Sequence, residues 1–242
     1  MSTRLKKNCD VAESGTFVRA IATVHCVLLR PTLASRVIGA FTTFAVKSVA
    51  GGGTLTTVPF TVPAPQVTMT VSNGAGVGGA VVITLAPDRA PITVNNFLAY
   101  VNAGFYDGTV SHRVVNNFVV QGGGYAAPVD ASTVQAETKP VNAPITLEAR
   151  PGLSNTQWTL AMARTNVPDS ATSQFFINLV DNSRDLDASA TQAGYAVFGS
   201  VTSGADTVSS VASAPCTSTL LTGADGCTPI PNVVITSALQ TR

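Results

Sequence analysis

The chain has 242 residues, of which 45% are apolar and 11% are charged, and its formal net charge is +1. A chain of this length and apolar content can bury a sizeable core in one domain or two. Nucleic-acid binding depends on clustered Lys and Arg, and no such cluster follows Lys7. The composition therefore argues against a nucleic-acid partner.

The first 65 residues are predicted to be a leader. Their two apolar runs, residues 17–29 and 37–46, are shorter than the roughly 18 to 20 residues of a membrane helix, so no membrane span is expected. The second run follows Arg30 and Arg36 and precedes Ser48, Val49 and Ala50, which is the pattern of a signal peptide and its cleavage site. We expect export to the periplasm or secretion. A disordered leader on a cytoplasmic chain is the alternative.

Residues 66–242 are predicted to form one domain of short strands. Runs rich in Val, Thr and Ile at 66–71 and 80–85 flank the turn signal Asn73-Gly74 and predict a hairpin. Pro91, apolar residues at helical spacing and Gly104 predict a helix. Further strands are predicted near 109–115, 117–122, 158–163, 174–179, 195–201 and 232–239, and a second helix over about 203–213. This pattern fits an antiparallel barrel with helices at its ends.

The glycine and cysteine patterns do not indicate a cofactor or metal site. Gly74, Gly76 and Gly79 formally fit the dinucleotide fingerprint, but a strand follows them and no acidic residue stands about 20 positions on, so no cofactor is expected. Cys216 and Cys227 do not fit C-x-x-C spacing, and the chain has two histidines, so no metal site is expected.

Cleavage near residue 50 would remove Cys9 and Cys26. The remaining pair, Cys216 and Cys227, would lie on a loop rich in Gly and Thr, which is typical of a disulfide formed in an oxidising compartment. Two unrelated buried thiols are the alternative interpretation.

Two stretches carry the candidate chemistry, FYDGTVSHRVVNNFVVQGGGY at 105–125 and LAMARTNVPDSATSQFFINL at 160–179. They supply one fixed cation, an amide and several apolar rings, without an acid–base or nucleophile–base pair. Ser111 beside His112 does not indicate a hydrolase, because no orienting acid is evident and adjacent strand residues face opposite ways. These side chains suit binding and twisting a peptide bond better than breaking one.

These blocks, together with APITVNNFLAYVNAGFYDGTVSHRV and GYAVFGSVTSGADTVSSV, resemble the bacterial cyclophilins over roughly residues 67–238. Cyclophilins are peptidyl-prolyl cis-trans isomerases. The resemblance implies a mainly β fold, a closed antiparallel eight-stranded barrel capped by two α-helices. It also implies an isomerase that assists folding without a cofactor or covalent intermediate, acts on proline-containing segments of polypeptides, and is a monomer.

The resemblance also implies which residues form the site. Arg113, Phe118 and Gln121 match the catalytic positions, and Arg113 would donate to the prolyl nitrogen as the amide twists. Phe175 is interpreted as core because it alternates with a pocket residue. The substrate-binding positions are His112, Val119, Ala163, Arg164, Thr165, Gln174, Phe176, Leu186 and Tyr195.

Four residues depart from the family pattern. Val119 replaces the usual methionine, Ser111 stands where an aromatic precedes the His-Arg pair, and Asp185 occupies the place of a Trp or Phe. These changes predict a shallower, more polar pocket and put cyclosporin binding in doubt. Trp158 stands where relatives tend to have Gly. Ser111 and Asp185 favour the alternative function, a catalytically weak module that binds proline-containing peptides or a partner protein. The enzyme is favoured by the joint retention of Arg113, Phe118, Gln121 and Phe176.

Overall fold

The computed structural model describes residues 43–46, 56–59, 63–130, 138–149, 153–219, 221–222 and 225–242. The chain divides into two units, residues 1–36 with 41–62, and residues 37–40 with 63–242. In the first unit, strands β1 (Thr43–Val46) and β2 (Thr56–Pro59) pair in antiparallel register. The rest of the predicted leader, with Cys9, Cys26 and the predicted cleavage site, lies outside the described residues.

The second unit contains an antiparallel sheet of eight strands. The strands are β3 (Gln66–Ser72), β4 (Gly78–Leu85), β5 (Arg113–Val115), β6 (Val119–Gly122), β7 (Thr159–Met162), β8 (Phe175–Asn178), β9 (Val197–Ser203) and β12 (Val234–Gln240). Their order in the sheet is β12-β3-β4-β9-β7-β8-β6-β5. A separate pair is formed by β10 (Cys216–Thr217) and β11 (Thr228–Pro229).

Three helices accompany the sheet, α1 (Pro91–Asn102), α2 (Ser183–Leu186) and α3 (Ala205–Ala212). The first and third lie where the sequence predicts them. Pro91 opens α1, where its missing N–H costs no hydrogen bond. Helix α1 packs against β12, whereas α3 packs against β4 and β6. Helix α2, which is only four residues long, was not predicted.

The prediction of a mainly β protein with eight antiparallel strands is confirmed, but the sheet is a curled half-barrel. Strands β12 and β5 are its two ends, and no ladder between them appears in the described sheet. The chain just before β5 meets the start of β12 at a bridge between Val110 and Val234, where backbone hydrogen bonds join residues 108, 109 and 111 to residues 233 and 235. Strand β5 has three residues, which leaves little length for a regular ladder with β12.

Strands β6, β7 and β8 are covered on both faces. Alternate residues point to opposite faces. On one face, Val120, Leu160 and Phe175 join the main core, which also includes the buried Phe97 and Phe198. The opposite face carries a second, smaller apolar cluster, built around residues from β6 to β9 and α2. This double coverage explains why all four residues of β8 are buried.

Candidate active site

One row of side chains crosses five neighbouring strands on the face opposite the main core. The strand registers pair Arg113 with Gln121, Gln121 with Phe176, Phe176 with Ala161, and Ala161 with Val197. Directly paired residues share a face, with Cβ atoms about 4.5 to 5.5 Å apart. The sheet therefore aligns a guanidinium, an amide, a phenyl ring and two small apolar side chains. We call these five residues the site row.

The polar end of the site row is a chain of hydrogen bonds. Arg113 Nη1 donates to Gln121 Oε1 at 3.4 Å, and Gln121 Nε2 donates to Gln174 Oε1 at 3.0 Å. Both Arg113 and Gln121 are half-buried, so they keep some access to solvent. Gln174 lies just before β8, and its carbonyl accepts the Ala163 N–H at 2.9 Å. These bonds fix the direction of the guanidinium and of the Gln121 amide.

The other nitrogen that anchors Arg113 is Nε. It donates to the carbonyl oxygen of Thr222 at 3.1 Å. Thr222 is 1% exposed, and it lies on the loop between Cys216 and Cys227. The arginine is thus held from two directions, by a neighbouring strand and by a loop more than 100 residues away in sequence.

The apolar end of the site row is a small apolar cluster around Phe176, which we call the Phe176 pocket. Phe176 is 5% exposed and packs with Val119, Ala161, Leu186 and Val197. Half-buried side chains border this cluster and complete its rim, and they are Phe118, Leu153, Ala163 and Tyr195. The structure therefore brings together the predicted pocket residues from β6, β8, α2 and the segment before β9.

Tyr195 forms one wall of the pocket and connects it to Arg164. Its ring meets Phe176 edge to face, with centroids 5.5 Å apart. The guanidinium carbon of Arg164 lies 4.5 Å from the centre of the Tyr195 ring, a cation–π contact. Arg164 Nε also donates to the Gly194 carbonyl at 2.9 Å. Thr165 follows on an exposed loop, where its N–H donates to Ser170 Oγ at 3.0 Å.

The glycine triplet at the end of β6, residues 122–124, makes room for the polar end of the site row. A Cβ atom on Gly124 would lie 2.6 Å from the side-chain carbon and nitrogen of the Gln174 amide. Gly123 has φ +78, and its Cβ would lie 2.8 Å from the Tyr106 ring. A larger residue at position 124 would therefore displace Gln174 and, through it, Gln121.

Comparison with known proteins identifies the family. The sequence model of the family described as cyclophilin type peptidyl-prolyl cis-trans isomerase/CLD matches residues 66–239. The chain belongs to the cyclophilin family. The family match confirms the predicted function, that of a peptidyl-prolyl cis-trans isomerase.

Named relatives and solved structures agree. The chain is 52% identical over 137 residues to a peptidyl-prolyl cis-trans isomerase of Acinetobacter baylyi, covering 57% of this chain and 69% of that protein. It is 47% identical over 135 residues to peptidyl-prolyl cis-trans isomerase B of Escherichia coli, covering 55% and 78%. A cyclophilin from Cryptosporidium parvum, crystallised in the presence of the dipeptide Ala-Pro, has a TM-score of 0.56 at 21% identity and covers 73% of this chain and 99% of that one. The last likeness concerns the fold alone.

His112 does not belong to the site row of this cyclophilin. It is 2% exposed and packs edge to face against Tyr125, with centroids 4.7 Å apart. Its Nδ1 has no hydrogen-bond partner among the described residues. Burial lowers the pKa of His112 from 6.5 to about 4, a hydrogen bond with the Val110 backbone opposes this, and the charge of Arg113 adds to it. The imidazole is therefore neutral at pH 7 and acts as a buried structural group.

This burial predicts a loss of stability at acid pH. Between pH 6.5 and about 4 the unfolded chain binds a proton at His112 that the folded protein does not. The free energy of unfolding should be unaffected by this group above pH 6.5 and should fall by about 3 kcal/mol as the pH drops to 4. Urea unfolding at pH 7.5 and 4.5 should show a smaller pH difference for His112→Gln than for the wild type. Equal differences would contradict the assignment.

The predicted disulfide is present. Cys216 and Cys227 are bonded, with their Cα atoms 5.5 Å apart. Asp185, the predicted replacement for an aromatic wall, is exposed on α2, while the next residue, Leu186, belongs to the apolar cluster of the pocket.

Within the described ranges, no cluster of three or more His, Cys, Asp or Glu side chains could hold a metal. No helix there is long and apolar enough to cross a membrane.

Sequence reasoning missed five residues of this site. Ala161 and Val197 belong to the apolar cluster, Leu153 borders it, Thr222 accepts a hydrogen bond from Arg113, and Gly226 lies beside the Arg113 side chain. Ala161 and Val197 would follow from Phe176 once the strand registers are known. Thr222 acts through its backbone carbonyl, so its side-chain chemistry carries no signal of the contact.

Proposed function

We propose that the site row is the active site and that it rotates X-Pro peptide bonds. The single observation behind this proposal is the register that aligns Arg113 and Gln121 with the Phe176 pocket. A proline ring seated in the pocket would place its nitrogen toward the polar end of the row. The aromatic ring and the guanidinium would then act on the same residue of the substrate.

The proposed chemistry is transition-state stabilisation. Rotation about an X-Pro bond has a barrier of roughly 18 to 20 kcal/mol, because it destroys amide resonance. The twisted amide has a pyramidal nitrogen with a localised lone pair. A donor directed at that lone pair binds the twisted state more strongly than either planar state, and this difference lowers the barrier. Arg113 suits the role because a guanidinium stays charged and need not transfer a proton.

The other residues would hold the two sides of the rotating bond. Phe118, Val119, Phe176 and Leu186 would grip the proline ring. The substrate chain before the proline would be bound by the side chains of Gln121 and Gln174 and by the backbone of residues 163–165. These groups lie at the polar end of the site row or beside it. His112 would support Arg113 from the neighbouring position without contacting substrate, because it is buried.

The sheet would hold the site residues in fixed positions, as this chemistry requires. We infer that the sheet works as a closed barrel, with α1 and α3 over its two ends. The bridge between Val110, which precedes β5, and Val234, at the start of β12, supports closure. The placement of the helices is supported by the buried apolar residues of α1 and by Val208 and Val211 of α3, which all belong to the main core.

The proposed substrates are proline-containing segments of polypeptides that are folding, and the proposed active species is a monomer. An NMR exchange experiment on an Ala-Pro peptide tests the activity directly. Substoichiometric protein should produce exchange peaks between the cis and trans peptide, which interconvert unaided over tens of seconds or more. Binding without exchange would indicate a module that only recognises proline-containing peptides.

We also propose that the protein acts in an oxidising compartment, the periplasm or the cell exterior. The disulfide supports this, because such bonds persist mainly outside the cytoplasm. Processing near Gly51 would remove Cys9 and Cys26. Intact-mass analysis of protein from its native compartment should therefore find a start near Gly51 and a mass lower by two hydrogens than the reduced form. A full-length chain with four alkylatable thiols would contradict export.

A further inference from the structure

The loop closed by Cys216 and Cys227 lies directly against Arg113. The Thr222 carbonyl accepts the Arg113 Nε–H at 3.1 Å. A Cβ atom added to Gly226 would lie 3.0 Å from Arg113 Cγ and 3.3 Å from Nε. One residue of the loop thus holds the guanidinium, while another packs against the stem of the same side chain.

The loop is in turn fastened to the strand that carries Arg113. Val114 and Cys227 exchange two backbone hydrogen bonds, of 2.8 and 2.9 Å. Thr228 Oγ1 donates to the His112 carbonyl at 2.6 Å. The backbone on both sides of Arg113 is therefore bonded to the C-terminal end of the loop.

The inside of the loop fixes the Thr222 carbonyl. Thr222 Oγ1 donates to the Thr219 carbonyl at 2.8 Å, and the Thr219 and Thr228 hydroxyls are 3.0 Å apart. All three threonines are at most 8% exposed. The disulfide closes this turn at its base, and Cys216 is exposed, so a soluble thiol can reach it.

We propose that the disulfide-closed loop is a positioning element for Arg113, and that isomerase activity therefore depends on the oxidised state of Cys216 and Cys227. This inference rests on the proposed role of Arg113. Breaking the bond leaves the Cys216 end of the loop held only by the two-residue ladder between β10 and β11. The loop then holds the Thr222 carbonyl less firmly, so the acceptor that fixes Arg113 Nε is less well placed. Substrate should still bind, because the apolar cluster around Phe176 contains none of the loop residues that the structure describes.

The test uses the full chain with Cys9→Ala and Cys26→Ala, so that one cysteine pair remains. A dithiol reductant cleaves the S–S bond, transfers two electrons and two protons to give two thiols, and ends as its own cyclic disulfide. Reduction should lower kcat about five- to tenfold with little change in KM, as expected for a misdirected charged hydrogen bond. Reoxidation should restore the rate.

Two comparisons separate positioning from a general loss of structure. In an Arg113→Ala background, reduction should leave the residual rate unchanged, because the loop would have no guanidinium to hold. With the disulfide intact, Gly226→Ala should lower kcat, because its methyl group would lie 2.9 Å from the Thr222 carbonyl oxygen and 3.0 Å from Arg113 Cγ and would disturb their contact. Ser218→Ala, an exposed change in the same loop, is the matched control and should not.

The Arg113 Nε–Hε signal in NMR reads the contact without turnover. It should shift and exchange faster with solvent on reduction. If the oxidised protein fails to catalyse exchange, the proposed function is wrong. The Nε–Hε signal would still report whether the loop holds Arg113. An unchanged signal on reduction would overturn the proposal. So would a fall in rate of equal size in the wild-type and Arg113→Ala backgrounds.

Discussion

Arg113→Ala should lower kcat/KM for an Ala-Pro peptide by about 10- to 150-fold, the effect of losing a charged hydrogen bond worth about 1.5 to 3 kcal/mol. The guanidinium is the cation at the polar end of the site row, aligned with Gln121 and directed by two hydrogen bonds. Arg113→Lys should also be poor, since an ammonium point charge does not reproduce the planar fork. NMR exchange or protease-coupled kinetics gives both values.

The matched control is Arg184→Ala. Arg184 is an exposed arginine on α2, beside the pocket in sequence but outside the apolar cluster. It should keep the wild-type rate, which excludes a general effect of removing positive charge. An Arg184 variant as impaired as the Arg113 variant would contradict a specific donor at position 113.

Phe176→Leu should lower kcat/KM about tenfold, whereas Phe175→Leu should leave it nearly unchanged. The two residues are neighbours on β8 and are 5% and 4% exposed. They face opposite sides of the sheet, so Phe176 lines the pocket while Phe175 packs against Phe97 and Tyr106 in the main core. Both substitutions should destabilise the fold by about 1 kcal/mol.

This pair separates substrate binding from stability. Thermal unfolding should report similar losses for the two variants, while peptide kinetics should distinguish them through KM. Equal activity losses would mean that Phe176 acts only through the stability of the sheet. The pocket assignment would then be wrong.

Most of the strands could be predicted from the sequence because their signals are local. The alternation of Val and Thr around Asn73-Gly74 gives the β3–β4 hairpin, and Pro91 with Gly104 brackets α1. The state of the sheet edges could not be predicted in this way. Whether β5 and β12 form a ladder depends on contacts between residues more than 100 positions apart, and no local pattern encodes them.

The residues of the site could likewise be predicted one by one, but their arrangement could not. The candidate residues Arg113, Gln121 and Phe176 were identified by motif, and only the strand registers reveal that they form one row. Thr222 could not be predicted, because it binds Arg113 through its backbone carbonyl oxygen, a group that every residue has. Trp158, which stands where relatives tend to have Gly, has φ 65, a left-handed backbone that favours glycine. The sequence shows the unusual residue but not the conformation that it must adopt.

The most direct test of the central claim is the rate of cis–trans exchange of an Ala-Pro peptide at saturation, measured by NMR line shape for the wild type and Arg113→Ala. Saturation removes the contribution of peptide affinity, so the ratio of the two rates reports the transition state alone. We predict rapid exchange on the wild-type protein and a rate at least about tenfold lower on the variant, with both proteins binding the peptide. Equal rates on the two proteins would contradict the account.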